Sequence, residues 1–468
     1  MLKFVSTAAE YVLRPAAKGA EVTLTTMERN TVCIAFGLGC PRAQVDTARL
    51  FGYFRANGWT VCDSIEVADL VVVTTCGFCK AFEDRSVQLL ESTERRRKQG
   101  SRLVVVGCLA GINEERLRET FDADIVSPKN VTDLDGLIGA AVSFDDVDDP
   151  NHIEPCIDGA SRCFSEEERR GHEALLRFGL RRALDASGMN AWIARSSRTH
   201  RAHVPKPTDR VYSLRVAQGC MGDCTFCAIK FACGPLKSKP LGAVLAELDR
   251  GLLAGYTEFR LIAQDLGSYG QDLGITVVDL LEGILGHPDD FGLTLLDFDP
   301  KWLAAYESAL VPLLAGNRSR IRCMLVPLQS GSEPILESMR RGHTAQAAKE
   351  ALLAVRAACP DTVLETHVII GFPGESEQDF QDTVALLRAI HFDHVTVCDY
   401  EDRPGTVASQ MAAKIPRRVI KSRGLRLRRE TEGLLPGLIY YVQDWGLQRG
   451  ERRRTSVAKH RPSGPQAK

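Results

Sequence analysis

Three short runs in the first third of the chain are apolar throughout and rich in Val and Ile: TVCIAF from Thr31, DLVVVTT from Asp69 and RLVVVG from Arg102. Unbroken apolar runs of this length mark strands buried on both faces of a parallel sheet. The segments between them, roughly 43–57 and 81–98, read as helices. This alternation predicts an open parallel sheet with flanking helices, finishing near Val142. From Val211 the rhythm resumes with six strand candidates, VYSLRVA, EFRLIA, LTLLDF, RCMLVPL, VLETHVII and HVTVCDY. Helical stretches separate them, including LGAVLAELDRGLLAG and the 376–390 segment, where Ser376 and Asp379 form a helix start signal. Six β/α units are too few to close an eightfold barrel. They predict an incomplete barrel, open on one side to a large substrate, with its chemistry in the loops after the strands.

The expected fold class is therefore α/β. An N-terminal open parallel α/β sheet domain (residues 30–142) precedes a partial (β/α)6 barrel (residues 209–416). Residues 1–29 carry no clear pattern and read as a variable extension. Residues 143–208 break the rhythm, running from the acidic FDDVDDP through EEERRGHE to the basic RSSRTHRAHVPKP, and read as a linker with an insertion. Residues 417–468 are basic, with RRVIKSRGLRLRR and RGERRR, and suit either a solvated tail or a segment facing a polyanion.

Composition narrows the class. A chain of 468 residues is too long for one ordinary core, and 44% hydrophobic with 25% charged residues is the balance of a globular protein in water. No secretory signal or 18-residue apolar run is present, so no membrane partner is expected. A net charge of −1 argues neither for nor against nucleic acid.

The chemistry lies in the cysteines. Cys220, Cys224 and Cys227 stand in GCMGDCTFC, just after the first barrel strand. Random placement of 15 cysteines in 468 positions would give this triple only about 0.015 times. Iron–sulfur clusters are normally closed by four cysteines, so three thiolates imply a 4Fe–4S cluster with one open iron. A zinc site would more commonly pair CxxC with a fourth ligand. Thiolates serving as cluster ligands need a reducing compartment, which points to the cytoplasm. In the first domain Cys40, Cys76 and Cys108 each lie just beyond the carboxyl end of one strand. Loops there converge on one crevice, and the adjacent glycines of GCP, TCG and GCL let backbone approach a bulky inorganic group. Convergence suggests a second three-cysteine cluster; scattered core thiols are the alternative.

The motifs GLGCPRAQVD, TTCGF, VVGCLA, GCMGDCTFC, LIAQDLGSYG, VPLQSGSEPILESMRRGHT, HVIIGFPGESEQDF and RPGT occur in that order. In this the chain resembles the radical S-adenosylmethionine methylthiotransferases over about residues 31–416. The resemblance implies that Cys220, Cys224 and Cys227 hold the radical cluster and that Cys40, Cys76 and Cys108 hold an auxiliary 4Fe–4S cluster. It implies a reaction in which an electron from the first cluster cleaves S-adenosylmethionine to a 5′-deoxyadenosyl radical. That radical removes hydrogen from an unactivated C–H position, and the substrate collects –SCH₃ at the second cluster. Both open irons must then face one cavity, with an electron donor such as flavodoxin or ferredoxin.

Further candidates for cofactor contact follow the barrel strands. Phe226 would pack near adenine or serve as a core aromatic. Gln264 and Asp265 follow the second strand, Gln329, Ser330 and Ser332 the fourth, and Gly371 and Glu375 the fifth, where Gly371 and Gly374 alternatively just make the turn. Arg341 and His343 in MRRGHT are either an electrostatic contact or a solvated helix end. Cys79, Cys233, Cys323 and Cys398 read as incidental or packing residues.

Large branches of the family modify an aspartate of a small-subunit ribosomal protein or an isopentenylated adenosine of tRNA. The N-terminal half here is more similar to the ribosomal-protein branch, whereas PLQSGS and RPGT look like the tRNA branches. Family members usually end in a small β-barrel, the TRAM domain, for which the 38 residues from Thr431 are too short. A ribosomal protein is the favoured partner; tRNA and a natural-product precursor peptide stay open. A single-cluster radical methyltransferase and a non-catalytic RNA-binding protein are the rival classes.

Overall fold

The computed structural model describes residues 30–36, 40–149 and 211–431; the expected N-terminal extension, most of the 143–208 segment and the tail beyond Thr431 lie outside the described residues. The first sheet is wholly parallel, in the order β2-β1-β3-β4-β5. Its strands are β1 (Thr31–Phe36), β2 (Thr60–Cys62), β3 (Leu70–Thr75), β4 (Arg102–Gly107) and β5 (Asp124–Val126). Alternate residues feed opposite cores, which is why the runs are apolar throughout. Val32, Ile34, Val72, Val104 and Val106 pack with Phe51 and Phe54 on one face. Cys33, Ala35, Val71, Val73 and Val105 pack with Leu90 and Leu109 on the other.

This domain continues past the expected end at Val142. Phe144 is buried in the first of those cores. The Arg49 guanidinium donates to the carbonyls of Phe144 and Val147, each at 2.7 Å, and the Asp135 carboxylate accepts from the Tyr53 hydroxyl and the Phe144 amide.

The second sheet is also parallel, in the order β13-β12-β11-β10-β9-β6. Its strands are β6 (Val211–Arg215), β9 (Glu258–Ile262), β10 (Gly292–Leu295), β11 (Ile321–Leu325), β12 (Val363–Ile370) and β13 (His394–Asp399). A small antiparallel pair, β7 (Ala217–Gln218) and β8 (Lys237–Ser238), brackets the cysteine loop. Among the described strands β6 and β13 are unpaired to each other, so the barrel is partial. Along β12, Leu364, Val368 and Ile370 pack into the helix layer, which turns Glu365, His367 and Ile369 toward the concave face.

The helix Glu377–Ile390 starts at Ser376 in a capping box closed by Asp379. Residues Arg417–Thr431, read from composition as the start of a basic tail, form a helix belonging to the barrel. Ile420 and Leu427 are its buried apolar stripe. Two of its arginines turn inward, Arg423 to Glu375 at 2.7 Å and Arg428 to the Val397 carbonyl at 2.7 Å. Arginine-rich composition concealed that stripe, and these charges are satisfied within the chain. Among the described residues no helix is long and apolar enough to cross a membrane.

The carboxyl ends of both sheets meet. Arg42 donates to the Ala263 carbonyl at 2.6 Å and pairs with Asp297. Arg215 pairs with Asp46, Lys239 with Asp149 at 3.3 Å, and Gln218 donates to the Pro128 carbonyl at 3.1 Å.

Candidate active site at the meeting of two cysteine loops

The barrel cysteines sit on a loop that other barrel elements fasten on several sides. At Gly219 φ is +81°, and a Cβ would lie 1.8 Å from the Pro235 carbonyl oxygen, so the turn into Cys220 requires glycine. Thr225 donates from its amide to the Met339 carbonyl and from its hydroxyl to the Ser338 carbonyl, and its own carbonyl accepts from Ala408. N–H groups are aimed at all three sulfurs. The Gly222 amide donates to Cys220 Sγ at 3.2 Å, Arg341 Nη1 donates to Cys224 Sγ at 3.3 Å, and the amides of Ile229 and Lys230 face Cys227. A Cβ on Gly222 would meet Cys220 Sγ at 3.3 Å and Cys224 Sγ at 3.7 Å, so those two thiols share one concavity. Burial pushes the Cys220 thiol up to about 12, and burial with the nearby Cys224 raises Cys227. Such thiols keep their protons until a metal displaces them.

The second trio gathers at the carboxyl ends of β1, β3 and β4. Cys40 precedes the helix Pro41–Ala56, Cys76 follows β3, and Cys108 opens the short helix Cys108–Ile112. Burial, and after it Cys40 and Cys76, raise the Cys108 thiol. Burial raises Cys76, with Cys40 and Cys79 adding to it and the Phe78 amide opposing. The Cys76 amide is held by Ser86 Oγ at 2.9 Å. Gly107 adopts φ +124°, with Thr75 backbone where a Cβ would stand, so the strand can deliver Cys108 beside Cys76. Both donor sets fit an iron–sulfur cluster: thiols only, glycine at close range and amide donors toward sulfur. No three His, Cys, Asp or Glu side chains among the described residues converge on a single ion. A four-iron cluster does not ask for that, since each liganded corner takes a single thiolate.

The two loops are neighbours. Helix Cys108–Ile112 packs directly on helix Ile229–Cys233, which begins two residues after Cys227. A Cβ at Gly111 would lie 2.5 Å from Ala232 Cα. Arg42, in contact with the Ala263 carbonyl, feels the charges of Cys40 and Cys108. The buried Cys233 thiol, pushed up to about 11 by burial, feels Cys227 and Arg42. On the other flank Arg403 donates to the Gly77 carbonyl at 2.7 Å and pairs with the buried Glu83 at 2.8 Å. Cys79 caps the helix Lys80–Arg96 beside this seam and adds to the raised thiol of Cys398.

The other predicted residues divide. Gln264 stands two residues beyond β9, and its Oε1 is buried without a partner among the described residues, an acceptor free for a ligand. Gln329 has φ +70° and bridges to β12 through its backbone, leaving its side-chain amide without a partner among the described residues. Phe226 packs against Ile335, Met339, Phe372 and Ala408. The rest face inward. Asp265 accepts from Trp302 Nε1 at 2.8 Å and from the amides of Gly267 and Asp299. Burial, then the Asp299 charge, raises its carboxyl to about 6. Ser330 is hydrogen-bonded to Thr383 and Ser332 to Asp379. Glu375 accepts from the Gly371 amide and Arg423, and at Gly371, with φ +81°, a Cβ would strike Ile420. Asp265, Ser330, Ser332 and Gly371 shape the loops, whereas Glu375 keeps its Oε1 buried and without a partner among the described residues, an acceptor left for a ligand.

Arg42, Asp297 and Arg403 were not singled out from sequence. Arg42 and Arg403 stand inside the motifs GLGCPRAQVD and RPGT, but their partners lie more than 200 residues away, at Ala263, Asp297 and Gly77. Arg403→Met should free the Gly77 backbone while Arg116 and Asn113 still hold Glu83. The expected cost is about 1–3 kcal/mol, read as a lowered Tm. Reconstituted iron should fall from about eight per chain towards four as the Cys76 loop loosens; full iron with an unchanged Tm would refute this.

Residues 32–127 match a family described as uncharacterized protein family UPF0004, and residues 214–387 match the radical SAM superfamily. The ribosomal protein uS12 methylthiotransferase RimO of a Nitratiruptor species is 30% identical over 388 residues, covering 82% of this chain and 78% of its own. That of Protochlamydia amoebophila is 28% identical over 399 residues, 83% and 74% of the two chains. In three dimensions the chain is similar to the radical S-adenosylmethionine methyltransferase TsrM of Kitasatospora setae, with a TM-score of 0.54 at 15% identity over 81% of this chain and 77% of that one. That last likeness is one of fold alone.

Proposed function

Since the chain belongs to the radical S-adenosylmethionine methylthiotransferase family, we propose that it replaces an unactivated C–H hydrogen with –SCH₃ on an aspartate of ribosomal protein uS12. Membership implies a 4Fe–4S cluster and S-adenosylmethionine. We assign that cluster to Cys220, Cys224 and Cys227, and a second, auxiliary one to Cys40, Cys76 and Cys108. When bound, these groups supply the electron, the abstracting radical and the methylated sulfur; the protein supplies position, dryness and charge.

The observation that carries the reading is the direct packing of helix Cys108–Ile112 on helix Ile229–Cys233. It joins the last cysteine of one trio to the last cysteine of the other, as transfer between two centres in one chamber requires. Gln264, Gln329, Glu375 and Phe226 are the side chains proposed to meet S-adenosylmethionine, whereas Asp265, Ser330, Ser332 and Gly371 shape the loops presenting them. Arg42, with Asp297, holds the two domains in register where the carboxyl ends of the sheets meet. The relatives' names carry the substrate, as does the N-terminal motif set.

The test offers anaerobically reconstituted protein, reductant and S-adenosylmethionine two substrates in parallel, uS12 and isopentenylated tRNA. Mass spectrometry should find a gain of one SCH₂ unit on a uS12 aspartate. A gain confined to tRNA nucleosides would overturn the substrate, and methylation without sulfur on either would overturn the reaction.

A further inference from the structure

The three barrel thiols are not served alike. Cys220 and Cys227 receive backbone N–H groups from their own loop and the helix that follows it. Cys224 receives a guanidinium from far away: Arg341, 117 residues later in the chain, donates from Nη1 to Cys224 Sγ at 3.3 Å. Arg341 is 7% exposed. Its Nη2 donates to the Pro327 carbonyl at 3.0 Å and pairs with Asp299 at 2.8 Å. Asp299 is itself fixed, its amide donating to Asp265 and its carboxylate accepting from the Lys301 amide. The guanidinium is thus oriented from behind by a carbonyl and a carboxylate, with one N–H directed at a cluster-ligand sulfur. Neighbouring His343 is buried with its Nε2 unpartnered and its pKa lowered by burial to about 4, so it adds no second positive charge.

Reduction of a 4Fe–4S cluster places one more negative charge on the iron–sulfur core and its thiolates. A buried cation hydrogen-bonded to a ligating sulfur stabilises that added charge more than the oxidised state, and hydrogen bonds to sulfur are among the determinants of cluster potential. We propose that Arg341 is a positioning residue that raises the reduction potential of the cluster at Cys220, Cys224 and Cys227, favouring its electron-loaded state. This rests on the assignment of the radical cluster to those thiols. The step moves one electron from a low-potential carrier to the cluster and no proton, because Arg341 stays cationic throughout. A guanidinium that merely pinned the loop would affect how well iron is held and leave the potential alone.

The test is an anaerobic redox titration of the full reconstituted chain, with dithionite as reductant, following the reduced-cluster EPR signal that changes on adding S-adenosylmethionine. For Arg341→Gln, the reduced-to-oxidised ratio at a fixed potential should fall about tenfold, a midpoint drop of about 59 mV for one electron. Arg341→Lys keeps the charge and should recover at least half of that shift. Asp299→Asn leaves the guanidinium without its counter-charge and should move the ratio the opposite way. An Arg341→Gln ratio within twofold of the parent overturns the proposal, as does loss of iron with no shift in the cluster that remains. A parent protein without any signal responsive to S-adenosylmethionine, or a Cys224→Ala variant that keeps it, overturns the cluster assignment and this proposal with it.

Discussion

Cys224→Ala should abolish S-adenosylmethionine cleavage, lowering 5′-deoxyadenosine formation by more than about 10³-fold, a barrier increase above ~4 kcal/mol. Cys76→Ala should keep cleavage within about threefold of the parent while losing methylthio transfer to a similar extent as Cys224→Ala. The asymmetry follows from placement. Cys224 sits in the concavity shared with Cys220 and takes the only side-chain N–H found on that trio among the described residues. Cys76 belongs to the other sheet, held by Ser86, with Cys40 and Cys108 as its neighbours. Chromatography of 5′-deoxyadenosine and mass spectrometry of the substrate read the two steps separately. Unchanged product formation by Cys76→Ala would remove the auxiliary site.

Gly111→Val should separate the two steps without touching any cysteine. A Cβ at Gly111 would stand 2.5 Å from Ala232 Cα, 2.9 Å from its Cβ and 3.1 Å from its amide nitrogen. The first and last of these are backbone atoms of the helix Ile229–Cys233, so the strain cannot be relieved by rotating a side chain. One helix must move relative to the other by about an ångström, and misplacement on that scale costs about 10²-fold in a reaction that depends on two aligned groups. Transfer should therefore drop about a hundredfold, with S-adenosylmethionine cleavage within about threefold of the parent. Gly136→Ala, in the helix Asp133–Ile138 with nothing within 4 Å of the added Cβ, should leave both steps intact. Normal transfer by Gly111→Val would mean the helix contact does not set the spacing of the two centres.

The buried parallel strands were legible in the sequence because Val and Ile fill both faces of β1, β3 and β4, and VLETHVII is β12 residue for residue. The edge strands β2 and β5 were not. Each is three residues long and starts on a polar residue, so neither presents a run to read. The helix Arg417–Thr431 was hidden by its own charge, since an arginine that reaches Glu375 or a strand carbonyl looks in sequence like one that reaches solvent. The six cysteines of the two trios stood out by spacing and by position after strands. What the sequence left unresolved was how the trios are joined. Arg42, Arg403 and the close approach at Gly111 act across long stretches of chain, and no local pattern encodes them. Arg341 was visible in MRRGHT, but whether it faces water or sulfur is a matter of tertiary packing.

Iron anomalous diffraction from anaerobically reconstituted crystals tests most directly whether two clusters share one chamber. Expected are two four-iron peaks, one in bonding reach of Cys40, Cys76 and Cys108 and the other of Cys220, Cys224 and Cys227, each with its unliganded corner open to the same cavity. A single peak, or two peaks divided by packed protein, would contradict it.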